Sequence, residues 1–245
     1  MNWLDRTELL FGPEKLEKLK EAHVLVVGLG GVGAYAAEQL CRAGIGKMTI
    51  VDGDVVETTN RNRQLPALIS NSGKPKAEIL AARFWDINPD IELKVINDYI
   101  TEDEIIELLK SNDFDYVVDG IDTLAPKVSL VYHSVQIGLR VASSMGAGGK
   151  TDPMKVQISD ISKTYNCKLA RVFRKRLSRL GINEGVKVVF SPESIEKNAV
   201  RLETGRNKKS TVGTISYMPP IFGCFLSSIV IRDLVSKTND LPVIK

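Results

Sequence analysis

Four glycines and an aspartate near the amino terminus have the types and spacing that a nucleotide site requires. The glycines follow an apolar run in a Gly-x-Gly-Gly-x-Gly pattern and are Gly28, Gly30, Gly31 and Gly33. In that context, glycines allow a tight turn between a strand and a helix whose first N–H groups favour a phosphate. Asp52 ends the next apolar run, where a ribose-binding carboxylate is expected. The sequence therefore predicts a nucleotide site of the Rossmann type.

The basic residues that follow indicate which phosphate bond is broken. Arg63 lies in Asn-Arg-Asn-Arg-Gln at positions 60–64, and Lys76 ends Gly-Lys-Pro-Lys at positions 73–76. A dinucleotide only has to be held, so backbone amides are sufficient for its pyrophosphate. Cleavage of ATP between its α- and β-phosphates needs extra positive charge where the pyrophosphate leaves. The pattern predicts an adenylating enzyme.

The elements that must position these residues alternate between strand and helix in the first half of the chain. Strands are predicted at 23–27, 47–52, 91–96, 115–119 and 140–143. Helices are predicted at 13–22, 32–43, 76–87, 101–110 and 126–137, with Thr101 and Glu104 forming a capping box on the fourth. This alternation predicts an α/β fold with a Rossmann-like, doubly wound and mostly parallel sheet.

The pattern changes after the glycine-rich stretch at 146–149. Strands are predicted at 155–161 and 186–190, helices at 168–180 and 219–236, and a polar irregular loop at 193–210. We expect antiparallel strands in this half, which extend the first sheet and lie against it. A single adenylating domain is predicted over residues 1–245, with a nucleotide-binding half at 1–145 and a substrate-facing half at 146–245.

The composition limits the class of protein. With 245 residues, 43% hydrophobic and 26% charged, the chain is suited to one large α/β domain, and a net charge of +3 alone implies no polyanionic partner. The longest apolar stretch, 221–231, is shorter than the ~20 residues that a membrane-spanning helix needs. Three distant cysteines argue against a disulfide framework, so we expect a reducing, cytoplasmic location.

The combined motifs resemble the ubiquitin-activating superfamily of the ThiF, MoeB and HesA type. They are Gly-x-Gly-Gly-x-Gly, Asp-x-Asp, Asn-x-x-Arg-Gln, Pro-Lys and a later Asp-Thr after an apolar strand, and they extend over nearly the whole chain. The resemblance implies that ATP and Mg²⁺ are the cofactors. Besides the four glycines, the nucleotide contacts that it implies are Asp52, Asp54, Asn60, Arg63, Gln64, Lys76, Asp122 and Thr123.

The resemblance also assigns catalytic roles. Arg63 and Lys76 are implied to act on the triphosphate, and Asp122 to lie beside Mg²⁺ and the α-phosphate. Arg6 matches an arginine that relatives donate across a dimer interface, which implies a homodimer.

Two features of this family are absent. The chain has no Cys-x-x-Cys pair, so a tetrahedral thiolate zinc site is not expected. Cys167 and Cys224 are candidates for an acyl-accepting nucleophile only by default, and both are expected to be small buried residues.

The second half resembles one branch, the tRNA threonylcarbamoyladenosine dehydratase family. The stretches that carry the resemblance are 144–153, 156–164, Leu-Ala at 169–170 and Arg-Lys-Arg-Leu at 174–177. The resemblance implies ATP-dependent cyclisation of the threonylcarbamoyl group in tRNA through a carboxyl-adenylate. tRNA bearing threonylcarbamoyladenosine is then the partner, and a sulfur-relay protein is left open as another.

The predicted helix at 168–180 gives an independent indication of a nucleic-acid partner. Its apolar residues recur at helical spacing and should face inward, leaving a basic stripe exposed: Lys168, Arg171, Arg174, Lys175 and Arg179. Such a stripe suits tRNA phosphates. A solvated helix face is the alternative.

Three other functions fit parts of the pattern. Adenylation of the C-terminal glycine of a ubiquitin-like sulfur carrier would need a groove for an extended tail. An oxidoreductase would need an acid or base, and the only histidines are His23 and His133. A non-catalytic tRNA-binding module would not need Arg63, Lys76 and Asp122.

Overall fold

The fold is built on one central sheet. The computed structural model describes residues 2–202 and 210–236. Seven strands form the sheet: β1 His23–Val27, β2 Lys47–Val51, β3 Glu92–Ile96, β4 Tyr116–Asp119, β5 Arg140–Ser144, β6 Gln157–Asp160 and β7 Lys187–Phe190. Their order is β3-β2-β1-β4-β5-β7-β6, and every pair is parallel except β6 with β7. Two further strands, β8 Val200–Leu202 and β9 Ser210–Val212, pair separately and antiparallel.

Helices cover both faces of the sheet. They are α1 Asp5–Phe11, α2 Pro13–Glu21, α3 Gly33–Ala43, α4 Lys76–Ile87, α5 Glu102–Lys110, α6 Leu124–Gln136, α7 Lys168–Arg179 and α8 Met218–Val235. In β1, Val24 and Val26 join the core under α3, α4 and α8, whereas Leu25 and Val27 join the core under α5, α6 and α7. A strand buried on both faces reads as a continuous apolar run, which is why the sequence located it.

The predicted α/β class and parallel sheet are confirmed, and the strands and helices of the first half begin and end within two residues of the predictions. The expectation that strands of the second half extend this sheet is also confirmed, although they are not both antiparallel to their neighbours. β7 enters the same sheet between β5 and β6, and only its pairing with β6 is antiparallel. Val188, Val189 and Phe190 are fully buried, so this strand needs neighbours on both sides.

Two other differences concern short elements. α1 was not predicted, because its seven residues are too few to show a helical repeat of apolar positions, and none of them is buried. The loop predicted at 193–210 contains β8 and the start of β9, while residues 203–209 lie outside the described part of the chain.

The last helix, α8, is long and apolar enough by length and composition to cross a membrane. Half of it is buried within the fold, where it packs along α3 and against β5 and β7. Burial in the core accounts for its composition.

Two close backbone approaches fix the start of α3 against the sheet. A Cβ added to Gly33 would lie 1.7 Å from the Gly28 carbonyl oxygen. A Cβ on Gly28, whose φ is +87°, would lie 2.9 Å from the Gly120 backbone. Glycine is therefore required at both positions by the packing of the main chain itself.

A buried ion pair fixes the loop that follows β4. Lys127 Nζ donates to Asp119 Oδ2 at 2.7 Å and to the Ile121 carbonyl at 2.9 Å, and both charged side chains are fully buried. Ser143 Oγ donates to the same carboxylate oxygen at 2.5 Å, and the Ile121 N–H donates to Asp119 Oδ1 at 3.0 Å. The pair thus joins β4, β5 and α6 around residues 120–123.

Replacing Lys127 by methionine should leave Asp119 buried without its counter-charge, lowering the free energy of unfolding by about 3–5 kcal/mol. The double variant Asp119→Asn, Lys127→Met removes the stranded charge and should recover part of that loss. Urea unfolding followed by circular dichroism measures both. Lys110→Met, at an exposed position, should change the stability by no more than about 0.5 kcal/mol. A Lys127→Met protein as stable as wild type would contradict the role given to the pair.

Candidate active site

The predicted nucleotide residues meet at one edge of the sheet. β1, β2 and β4 are parallel neighbours, so the glycine loop after β1, Asp52 after β2 and Asp122 after β4 all follow carboxyl ends. The chain runs from β1 outward to β2 and β3, then returns to β4 on the other side of β1. That reversal creates the crevice where ligands bind in open α/β sheets.

The carboxylate of Asp52 organises the glycine loop. Its Oδ2 accepts the Leu29 N–H at 2.5 Å, and its Oδ1 accepts the Asp54 N–H at 2.8 Å. Burial raises the pKa of Asp52, and the two N–H bonds oppose that rise. Each oxygen keeps a second lone pair. The carboxylate can therefore hold the loop and still accept from two ribose hydroxyls.

Lys76 is held in place by Asp54. It is only 3% exposed, and its Nζ lies 2.7 Å from Asp54 Oδ2. The Tyr99 hydroxyl donates to the other oxygen of Asp54, and this hydrogen bond raises the pKa of Tyr99 to about 12. The ammonium is thus positioned next to the nucleotide crevice, where a triphosphate would compete with Asp54 for it.

Sequence reasoning missed Tyr99. It lies after β3, and its backbone approaches Gly53 so closely that a Cβ there would be 2.6 Å from the Tyr99 nitrogen. The signal in the sequence that could have located Tyr99 is its position shortly after the carboxyl end of β3, the strand that neighbours β2.

Arg63 and Gln64 lie against the glycine loop. A Cβ on Gly31 would be 3.5 Å from Arg63 Cγ, and one on Gly30 would be 3.8 Å from Gln64 Nε2. Arg63 Nη1 donates to the Thr59 carbonyl and to Asn62 Oδ1, both at 2.9 Å. Gln64 Oε1 is buried and has no hydrogen-bond partner among the described residues. The segment therefore packs against this loop with the Arg63 side chain and the Gln64 amide, while the Arg63 guanidinium is held within the segment itself.

Asn60 has a structural role in the same segment. It is buried, and its Oδ1 accepts the Glu57 N–H at 3.1 Å, capping the turn that precedes Arg63. On the other side of the crevice, Asp122 and Thr123 are exposed ahead of α6, and Thr123 Oγ1 donates to Asp122 Oδ1 at 3.2 Å. Both residues stand at the edge that carries the glycine loop.

Arg6 is not brought to this edge within one chain. It lies in α1, and the Leu4 side chain just before it packs 3.0 Å from a Cβ built on Gly44, at the far end of α3. Eleven residues of α3 separate that end from the glycine loop, which is about 16 Å at 1.5 Å per residue.

Neither histidine reaches the crevice. His23 begins β1 at the opposite edge of the sheet, and its Nε2 lies 3.0 Å from Thr49 Oγ1. His133 lies in the last turn of α6 and pairs with Glu102 at 3.0 Å. The acid or base that an oxidoreductase would need is therefore not supplied by a histidine.

The cysteines differ in exposure. Cys167 is buried as expected, but Cys224 is exposed, because it lies on the outer face of α8. Within the described residues, no three or more histidine, cysteine, aspartate or glutamate side chains form a group that could hold a metal ion. The expected lack of zinc stays a prediction.

The basic stripe of α7 is exposed at four of its five positions: Lys168, Arg171, Lys175 and Arg179. The expected exposure of Arg174 is wrong. Its Nη1 donates to the Thr164 carbonyl at 2.8 Å and to the Ile161 carbonyl at 3.3 Å, so this half-buried guanidinium ties α7 to the preceding turn. The inward face is also narrower than predicted, since Val172 is exposed and only Ala170, Phe173 and Leu177 are buried.

The fold and the site together define a Rossmann-type nucleotide-binding protein with one cation, Arg63, against its glycine loop and a second, Lys76, on Asp54. The chain belongs to the ThiF family, whose sequence profile matches residues 4–243. It is 40% identical over 243 residues to the tRNA threonylcarbamoyladenosine dehydratase of Bacillus subtilis, covering 96% of this chain and 95% of that protein.

Two crystal structures of the Escherichia coli tRNA N6-threonylcarbamoyladenosine dehydratase are similar over nearly the whole chain. The complex with ATP has a TM-score of 0.85 at 35% identity and covers 94% of this chain and 92% of that one. The complex with AMP has a TM-score of 0.84 at 34% identity, with the same coverage.

We expect isothermal titration to show tighter binding of ATP than of NAD, because Lys76 and Arg63 can contact a third phosphate that NAD lacks. Asp52→Asn should weaken ATP binding roughly 10- to 150-fold, since a charge-assisted hydrogen bond contributes about 1.5–3 kcal/mol. Asp90→Asn, at an exposed position before β3, is the matched control and should bind ATP like wild type. Preferential binding of NAD would reject this assignment of the crevice.

Proposed function

We propose that this chain is an ATP-dependent tRNA-modifying enzyme that dehydrates threonylcarbamoyladenosine to its cyclic form through a carboxyl-adenylate. The observation that carries the proposal is the placement of Arg63 against the glycine loop and of Lys76 on Asp54, two residues after the carboxylate that holds this loop. Similarity over the whole chain to dehydratases of that name supports the choice of substrate.

In the first step, the threonyl carboxylate attacks the α-phosphorus of ATP, and the bond to the β-phosphate oxygen breaks. Negative charge grows on the departing pyrophosphate, where Lys76 and Arg63 would stabilise it. Lys76 is already positioned by Asp54, so little reorganisation is needed when the charge appears. The products of this step are an acyl-adenylate and pyrophosphate.

In the second step, the carbamoyl nitrogen attacks the activated carbonyl carbon and loses its proton to solvent. The bond between that carbon and the AMP oxygen breaks, so the two steps together remove the elements of water. Because the attack is intramolecular, correct orientation supplies much of the rate. No acyl-accepting cysteine is needed, consistent with a buried Cys167 and with a Cys224 on the outer face of α8.

The residues at this edge fit Mg²⁺ bound together with ATP. Mg²⁺ is usually held by one or two carboxylates plus substrate phosphates, so the Asp122 carboxylate beside the crevice suits it without a cluster of three protein ligands. When bound, Mg²⁺ would supply further positive charge to the phosphates.

A homodimer would complete the site. Arg6 lies far from the glycine loop of its own chain, so it can act there only from a second copy. Leu9 and Leu10 of the same helix are 89% and 77% exposed, which favours burial against another chain. Neither bond change above needs a sulfur-relay protein, and the proposal does not include one. The cytoplasm, where tRNA and reduced thiols occur together, is the proposed location.

The sulfur-carrier alternative is not favoured. The relatives that match this chain over nearly its full length have the dehydratase name, and the chain has no Cys-x-x-Cys pair.

Lys76→Ala and Arg63→Ala should each lower turnover by on the order of 10²–10³ while the fold is retained, because each removes one preorganised charge. Turnover is measured on tRNA carrying threonylcarbamoyladenosine by mass spectrometry of the nucleosides, and adenylation by ATP–pyrophosphate exchange. Lys74→Ala and Arg61→Ala, exposed cations two residues before each target, should remain near wild type. Normal exchange in either target variant would refute its role.

The α7 stripe should bind tRNA phosphates. Replacing Arg171, Lys175 and Arg179 by alanine should weaken tRNA binding, leave ATP affinity unchanged, and reduce the slope of log Kd against log salt by ~0.7–0.9 for each phosphate that is no longer neutralised. Filter binding across a salt titration measures the slope. A control lacking three other exposed lysines, Lys15, Lys18 and Lys110, should keep it. Identical slopes in both variants would mean that this helix face is only solvated.

A further inference from the structure

A second cavity opens at the same edge of the sheet, beyond β5 and β7. Its volume is about 830 Å³, within the ~300–1,000 Å³ of small-molecule sites. Its walls include Lys150 and Thr151 after β5, Glu193 after β7, Tyr165 before α7, and Gly213 after β9. It is therefore formed by the half of the chain that the nucleotide does not need.

Hydrogen bonds connect this cavity to the phosphate-binding side. Asn62 Nδ2 donates to the Thr214 carbonyl at 2.9 Å, and Asn62 Oδ1 accepts from Arg63. Thr214 directly follows Gly213 of the cavity wall, and the Tyr217 hydroxyl donates to the Thr151 carbonyl at 2.8 Å. A molecule in the cavity would thus lie next to the segment that presents Arg63.

Lys150 supplies a buried positive charge in the cavity wall. It is 2% exposed, and its Nζ donates to the backbone carbonyl of Glu193. Within the described residues, no carboxylate lies at ion-pair distance from it. The carboxylate of Glu193 instead accepts the N–H groups of Thr151 and Asp152, at 2.9 and 3.1 Å. Burial lowers the pKa of Lys150, and an ammonium in this setting would be stabilised by an anion.

Tyr165 supplies an aromatic face at the mouth of the cavity. Its side chain is half-exposed, and its ring meets Phe190 edge-on at 5.7 Å between centroids. Asn166, the only non-glycine with positive φ in the described residues, then turns the chain, and α7 begins two residues later at Lys168. The ring therefore stands where the basic stripe of α7 begins.

We propose that this cavity receives the modified nucleoside of the RNA, with its base stacked on Tyr165 and the carboxylate of its amino-acid group against the Lys150 ammonium. This rests on the proposed function and adds a substrate site to it. Bases in RNA loops are recognised by being drawn out and stacked on aromatic side chains. The stripe on α7 would hold the neighbouring phosphates, and the Asn62–Thr214 link would keep the carboxylate on the side of the nucleotide crevice.

The test compares two anticodon stem-loop RNAs, identical except that one carries threonylcarbamoyladenosine and the other unmodified adenosine. Kd values are measured by fluorescence anisotropy with the full chain. Wild type should bind the modified RNA more tightly than the unmodified RNA. Lys150→Gln should raise the Kd for the modified RNA to that for the unmodified RNA, which should itself stay unchanged. Tyr165→Leu should weaken the binding of both RNAs roughly tenfold. Tyr165→Phe keeps the aromatic ring and should bind both RNAs like wild type. Lys187→Gln removes a lysine bonded to Asp233 at the opposite edge of the sheet and should keep the wild-type preference.

A Lys150→Gln protein that keeps the wild-type preference would overturn the proposal, as would equal binding of both RNAs by wild type. ATP binding serves as the check that the variant is folded. If Lys150→Gln does not fold, the variant at the exposed residue Tyr165 becomes the test. A Tyr165→Leu protein that binds both RNAs like wild type would then overturn the proposed nucleoside site. Dehydration of the modified RNA by the same wild-type preparation tests the proposed function separately.

Discussion

The ion pair between Lys127 and Asp119 is the interaction on which the rest of the site depends. Both groups are fully buried, and their partners come from β4, β5 and α6. The same ammonium lies 5.8 Å from the centre of the Phe173 ring of α7. One buried charge thus sets the relative position of the loop that carries Asp122 and the helix that carries the basic stripe. A buried ion pair is stable only when its remaining lone pairs and protons also have hydrogen-bond partners. The geometry of this pair therefore depends on β4, β5, α6 and α7 together.

The same design recurs at the nucleotide crevice, where charged groups are fixed by contacts within the protein before any ligand binds. Asp52 is oriented by two N–H groups, and Lys76 by Asp54, which Tyr99 holds in turn. In the proposed function, a triphosphate would replace one anionic partner of Lys76 with another, and the ammonium is already desolvated before the ligand binds. The crevice and the second cavity differ in this respect, because Lys150 donates to a backbone carbonyl and, among the residues that the structure describes, has no carboxylate at ion-pair distance.

Sequence signals located the parts of the fold that depend on short-range chemistry. The apolar run of β1, the glycine loop and the Thr101 cap each lie within one stretch of chain, and the structure has them where they were predicted. The parts that were missed depend on contacts between distant residues. Three such contacts leave no periodic pattern in the sequence. They are the insertion of β7 between β5 and β6, the hydrogen bond of Tyr99 to Asp54, and the hydrogen bonds of Arg174 to Thr164. Asp52, Arg63, Lys76 and Asp122 were found because their spacing was informative, although their roles stay predictions.

The packing of Gly28 and Gly33 has a consequence for how relatives of this chain can be judged. A side chain at either position would collide with backbone atoms of the fold itself, before any ligand is considered. A descendant that no longer used ATP would still be selected to keep both glycines, merely to remain folded. Persistence of the glycine motif therefore records the ancestry of the fold. Lys76 and Arg63, if their side chains act on the phosphates as proposed, would be free to change once catalysis is lost. Relatives that have kept the activity should therefore differ from relatives that have lost it at positions 63 and 76, and not at the glycines.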